Sequence, residues 1–153
     1  TSTRGAGVMH TIFHGYDEMA GAMNSRSTGS IVAMEAGSTT AFALQNAEVR
    51  GMLFVGPGVE VYEGMVIGEN ARGSDLSINV CKKKHLTNMR SSRGDMEIRL
   101  TPPRSMSLDE AVEYLLEDEL LEVTPENFRI RKRILNTDER GKQTKKAKEL
   151  LEE

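Results

Sequence analysis

The sequence predicts an α+β fold in which mainly antiparallel short strands form a small sheet or partial barrel against one packed amphipathic helix. Three observations predict it. Between Ile31 and Ile67, short apolar runs are punctuated by Gly51, Gly56, Gly58 and Gly64, as in strands that turn sharply. Ser107, with Glu110 three residues on, reads as a capping box ahead of an apolar stripe at helical spacing. Leu121 and Val123, then Phe128 and Ile130, alternate with polar residues on either side of Thr124-Pro125, the pattern of a hairpin.

Taken in order, the chain opens on a turn-like stretch, Thr1 to Gly7, and enters Val8 to His14, where Val8, His10, Ile12 and His14 share one face of an extended strand with no hairpin partner nearby. Small, flexible residues from Asp17 to Gly29 place a domain boundary there. Ile31 to Met34 and Thr40 to Leu44, separated by Ala36-Gly37-Ser38, read as a β-hairpin. Met52 to Val55, Val59 to Tyr62 and Met65 to Ile67 follow as short strands. In the capped helix Leu108, Ala111, Val112, Leu115 and Leu116 form the packing stripe, while Asp109, Glu113 and Glu117 face water. The next hairpin carries a basic outer face, and the charged tail from Asn136 to Glu153 is expected to be a solvated helix.

A chain of 153 residues holds one compact core, or one complete domain joined to a fragment of another. With 5% aromatics and no tryptophan, that core must be aliphatic. The net charge of -3 argues against a uniformly basic polyanion binder, but the charge is segregated. Lys82, Lys83, Lys84, Arg90 and Arg93 lie in one acid-free stretch, and Arg129, Arg131, Lys132 and Arg133 form a second cluster. Acids crowd Asp109 to Glu122 instead. Cys81 is the only cysteine, so neither an internal disulfide nor a multi-cysteine metal site is expected, which fits a reducing cytosol. No apolar run approaches the roughly 20 residues that span a bilayer, so neither membrane nor secretion is indicated.

The Lys82 to Arg93 segment suits phosphate. Its cations neutralise backbone charge, and His85, Thr87, Asn88, Ser91 and Ser92 offer hydrogen bonds to riboses or bases. Composition alone leaves nucleic-acid binding and a merely solvated loop about equally open. Gly5-Ala6-Gly7 lacks the third glycine and the Lys-Ser or Lys-Thr of a phosphate-binding loop, which rejects it as a nucleotide site. His10 and His14, four apart on a strand, stand about 13 Å from each other, too far to share a metal. Lysine neighbours lower a thiol pKa, so Cys81 with His85 is a conceivable nucleophile, but no triad or oxyanion apparatus accompanies them and no catalytic constellation is expected.

Thr3 to Met9 and Phe13 to Tyr16 resemble the end of the ferredoxin-like domain shared by elongation factor G and its relatives. Arg50 to Val55, Gly58 to Gly64, Leu86 to Arg90, Leu100 to Pro103, Asp118 to Pro125 and Phe128 to Arg133 resemble the C-terminal domain of BipA/TypA translational GTPases, in that order. The resemblance runs to about Leu135; the triple lysine beside Cys81 departs from its pattern. It implies that residues 1–17 close an incomplete ferredoxin-like domain, that 18–135 form the C-terminal domain, and that 136–153 are a charged helical tail. It also implies a parent with GTP and magnesium bound in a preceding domain, and no cofactor or small-molecule substrate here. The implied setting is cytoplasmic and ribosome-associated, in stress adaptation and large-subunit assembly. The implied partners are large-subunit RNA and the acceptor end of A-site tRNA. The RNA-binding set is then Lys82, Lys83, Lys84, His85, Thr87, Asn88, Arg90 and Arg93, supported by Arg129, Arg131, Lys132 and Arg133. The alternative is a protein-interaction module that docks a ribosomal protein, or another domain, through the acidic helix or the hairpin edge.

Overall fold

The computed structural model of the chain describes residues 7–8, 10–18, 26–83 and 99–151. Its elements are β1 (Ser30–Ala33), β2 (Gly37–Ser38), α1 (Ala41–Glu48), β3 (Gly51–Leu53), β4 (Glu60–Val61), β5 (Val66–Asn70), β6 (Leu76–Ile78), α2 (Leu108–Tyr114), β7 (Glu119–Val123), β8 (Phe128–Lys132) and α3 (Thr137–Leu151). The expected α+β class holds, with open sheets. A four-stranded sheet runs β3-β5-β1-β6, and β2-β4 and β7-β8 form two-stranded ribbons.

β1 sits inside the main sheet, antiparallel to β5 and parallel to β6. All four of its residues are buried, because a strand between two neighbours with both faces covered meets little water. Ile31 and Ala33 join Leu44, Leu53, Val61, Ile67 and Val80 in one core cluster. Val32 joins Val66, Ala111, Tyr114 and Ile130 in a second, on the side that carries α2 and the hairpin.

The hairpin expected from Ile31 to Leu44 does not form. Its second half is α1, in which Ala43, Leu44 and Ala47 are buried at helical spacing. Thr40 caps it, with its hydroxyl accepting from the Ala43 amide. The five-residue run from Thr40 to Leu44 was too short to separate helix from strand. Its continuation through Gln45-Asn46-Ala47, all tolerated in helices, decides for helix. The extended strand expected from Val8 to His14 is also absent among the described residues: 10–18 have no regular structure and are exposed. Alternation confers a strand only where an edge exists to pair with.

α2 has the predicted capping box, with Ser107 Oγ accepting from the Glu110 amide and the Glu110 carboxylate accepting from the Ser107 amide. Its packed side differs from the predicted stripe. Ala111 and Tyr114 are buried, whereas Leu108 and Val112 stand 48% and 56% exposed. The helix ends at Tyr114 because Leu115 turns extended, so Leu116 belongs to the exit. Tyr114 takes the place of the predicted leucines because its hydroxyl finds Ser30 Oγ at 3.1 Å, and its ring packs edge-on to Phe54. The β7-β8 hairpin and the helical tail form as predicted.

Candidate RNA interface

The basic segment is held by its two stems. Val80 is buried in the core, so the backbone reaches Lys82 from a fixed point. The Thr40 hydroxyl, besides capping α1, donates to the Lys82 carbonyl at 2.6 Å. On the returning side the Thr101 amide donates to Glu48 Oε1 at 2.8 Å, at the last residue of α1. Hydrogen bonding from the Thr101 side chain, then from its amide, holds the Glu48 carboxyl below its ordinary range. The stems therefore attach at opposite ends of one helix whose eight residues span about 12 Å. Lys82 and Lys83 are exposed. Lys84, His85, Thr87, Asn88, Arg90 and Arg93 lie outside the described residues.

The hairpin sorts the second cluster by strand alternation. Ladder pairs run Glu119 with Lys132, Leu120 with Arg131, Leu121 with Ile130, Glu122 with Arg129 and Val123 with Phe128. Ile130 points into the core, so Lys132, two residues on, shares the inward face, and Arg129, Arg131 and Arg133 take the other. Arg129 and Arg133 are exposed. Arg131 is half-buried, its Nε 2.7 Å from Glu122 Oε1 though not aligned for a hydrogen bond. Glu122 also accepts from the Tyr62 hydroxyl at 2.6 Å. Burial, then that bond, pushes the Tyr62 phenol well above its usual range.

Lys132 corrects the sequence reading. Its side chain is 1% exposed, with Nζ 2.5 Å from Asp75, 2.8 Å from Asp118 and 3.0 Å from Glu119. An ammonium enclosed by three carboxylates is not presented to a polyanion. Burial by itself lowers its pKa, but the hydrogen bonds to Asp118 and Asp75 and the charge of Glu119 outweigh that and raise it. Glu119 is the hub. It also accepts from Ser30 Oγ at 2.5 Å, from Arg26 Nη2 at 3.0 Å and from the Leu116 amide at 3.1 Å. Burial pushes its carboxyl up, and these donors and cations bring it below the ordinary value. Arg26 lies 3.7 Å from the Tyr114 ring centroid, so its Nε and Nη1, which lack hydrogen-bond partners, are buried on an aromatic face. Burial holds the Tyr114 phenol up at about 12.

The period-two pattern carried the signal for Lys132, since it lies two residues from Ile130. Arg26, Thr40 and Glu48 gave none, because their partners are 93, 42 and 53 residues away. At Cys81, burial and then Glu35 and Glu60 push the thiol up. That is opposite to the lowering expected from its lysine neighbours, and His85, the partner weighed for it, lies outside the described residues. Among the described residues, no group of three or more His, Cys, Asp or Glu could hold a metal ion, and no helix is long and apolar enough to cross a membrane.

These features define a small α+β domain in which the described stems of a basic segment attach at the two ends of one helix. The TypA/BipA C-terminal domain family matches residues 28–137, and the chain belongs to that family. Similar proteins named large ribosomal subunit assembly factor BipA occur in several organisms. The Bacillus subtilis protein is 49% identical over 147 residues, covering 95% of this chain and 24% of the relative. The Synechocystis protein is 48% identical over 130 residues, covering 85% and 22%. That of Salmonella typhimurium is 43% identical over 150 residues, covering 97% and 25%. The chain thus spans about a quarter of the length of the curated relatives it matches.

Proposed function

We propose that this domain is the ribosome-binding C-terminal module of a translational GTPase that serves large-subunit assembly and stress adaptation in the cytoplasm. In this reading, residues 1–17 complete a preceding ferredoxin-like domain, and GTP and magnesium belong to another domain of the parent. The module binds large-subunit RNA and the acceptor end of A-site tRNA through the Lys82 to Arg93 segment, with Arg129 and Arg133 as outlying phosphate contacts. The observation that carries it is the pair of anchors, Thr40 to Lys82 and Thr101 to Glu48, which support an acid-free cationic segment on the two ends of α1. The names of the relatives supply the ribosomal setting.

The test is binding of the chain to large ribosomal subunits across a potassium chloride series. Replacing Lys82, Lys83 and Lys84 together with alanine is expected to weaken binding and to flatten the slope of log affinity against log salt by about 2 to 3, the value for three phosphate contacts. An unchanged affinity and slope overturns the assignment.

A further inference from the structure

At one end of the main sheet, two turns bring a pair of arginines together. Arg50 lies between α1 and β3, and Arg72 between β5 and β6. Gly51 pairs with Asn70 in the ladder, and just beyond that pair the Ala71 amide donates to the Arg50 carbonyl at 2.9 Å. The Arg72 carbonyl in turn accepts from the Gly29 amide at 2.7 Å. Both main chains are therefore fixed.

The two arginines line one cleft of about 210 Å³, in which Asn70 and Ser74 supply the other polar side chains and no carboxylate takes part. Both arginines are exposed, and among the described residues no carboxylate pairs with either guanidinium. The acids nearest in the chain are engaged elsewhere. Glu48 accepts from the Thr101 amide. Glu69 accepts from the Thr28 hydroxyl at 2.7 Å and faces Arg104 at 3.5 Å. Asp75 accepts from the Ser30 amide at 2.8 Å and meets Lys132 Nζ at 2.5 Å. The positive charge of the cleft is thus left uncompensated, and guanidinium forks suit phosphate oxygens in paired hydrogen bonds. Arg50 stands two residues beyond Glu48, where the returning stem of the basic segment attaches, so the cleft adjoins the foot of that segment.

We infer that Arg50 and Arg72 hold a phosphodiester group of an RNA strand, with the Ser74 hydroxyl donating beside them. The choice of RNA as the source of the phosphate rests on the proposed function, and the contact itself lies outside the Lys82 to Arg93 segment.

The test titrates a fluorescein-labelled RNA strand into the full chain across a potassium chloride series. Arg50→Gln with Arg72→Gln is expected to weaken binding about tenfold and to flatten the slope of log affinity against log salt by about 1 to 2, the value for two phosphate contacts. Arg50→Lys with Arg72→Lys keeps the charges and should keep the slope. RNA should also shift the amide resonances of Ala71, Arg72 and Ser74. All these substitutions are at exposed positions, so circular dichroism should show the variants folded. Unchanged affinity and slope in the glutamine variant, or unmoved amide resonances, overturns the inference. Equal shifts from inorganic phosphate at the same phosphate concentration, or equal binding of polyglutamate, overturns it as well, because the site then does not select an RNA backbone. Placed in the Lys82, Lys83 and Lys84 alanine variant, the glutamine pair should lower the remaining slope by the same amount. A lysine variant that binds RNA normally therefore sinks the segment proposed above and leaves the arginine contact standing.

Discussion

Lys132→Met keeps the length and apolar stem of the side chain and removes its charge, which isolates the ammonium's contribution. In the folded domain that ammonium is within 3.0 Å of Asp75, Asp118 and Glu119. Glu119 is fully buried, and after the substitution it retains only Arg26 as a cationic partner, with Ser30 and the Leu116 amide as neutral donors. Removing one partner of a buried ion pair costs about 3–5 kcal/mol, because the remaining charge stays desolvated. Asp75 and Asp118 are partly exposed and recover solvation, which favours the lower figure, about 3 kcal/mol. With a urea m-value of about 1.5 kcal/mol/M, the unfolding midpoint should fall by about 2 M. Arg133→Met, on the exposed face one residue away, should change stability by less than about 0.5 kcal/mol.

The pH dependence gives a second reading of the same cluster. The Glu119 carboxyl is held below its ordinary value of 4.5, so its contribution is present above about that pH and is lost as pH falls through the folded value. The Lys132 ammonium is held above 10.5, so its contribution is present below that pH and is lost as pH rises through the folded value. Lys132→Met should therefore move the acid unfolding midpoint upward, as Glu119 becomes easier to protonate. A midpoint shift under about 0.5 M urea, with an unchanged acid limb, would refute the placement of Lys132 as a structural cation.

Three further outcomes test other parts of the fold. Thr40→Ala removes both the α1 cap and the anchor of the Lys82 carbonyl; it should cost about 1–2 kcal/mol in urea unfolding and speed amide exchange around Val80 to Lys83, and unchanged exchange would refute the stem anchor. Gly64→Ala places a Cβ 2.7 Å from the Leu135 Cα at a backbone φ of +87°, so thermal unfolding should register a loss of at least about 2 kcal/mol. Arg140→Ala cuts the hydrogen bonds that tie α3 to the Ile134 carbonyl and to Ser77, and an isolated helix of this length is marginal, so ellipticity at 222 nm should drop while the sheet core keeps its protection.

What was legible in the sequence was what short-range chemistry dictates. The Ser107 and Glu110 capping box needs only a spacing of three, and the hairpin needs only alternation around a turn, so both appear where expected. The Thr40 to Leu44 run went wrong because an apolar segment of that length suits either element. The decisive facts were a cap and a distant core. Lys132 departs from the basic surface expected of its cluster because strand geometry splits neighbouring residues between two faces. The partnership of β1 with both β5 and β6 could not be read locally, since sheet order depends on contacts between distant segments.

The correction at Lys132 also changes what the hairpin contributes. As four cations, the Arg129 to Arg133 cluster would rival the loop as a phosphate site. With Lys132 enclosed and Arg131 beside Glu122, only Arg129 and Arg133 remain exposed. The inward cation instead joins structure together. Through Glu119 and Asp75 it connects the hairpin to Ser30 in β1, to the segment leading into β6 and, by way of Arg26, to the chain entering the domain. A charge network of this kind couples those segments because each partner left alone would be desolvated and unpaired. The same sheet that the network ties to the hairpin carries α1, whose two ends hold the stems of the basic segment. Rigidity at the centre and cations at the rim are thus two uses of one residue type, separated by the side of the strand on which each falls.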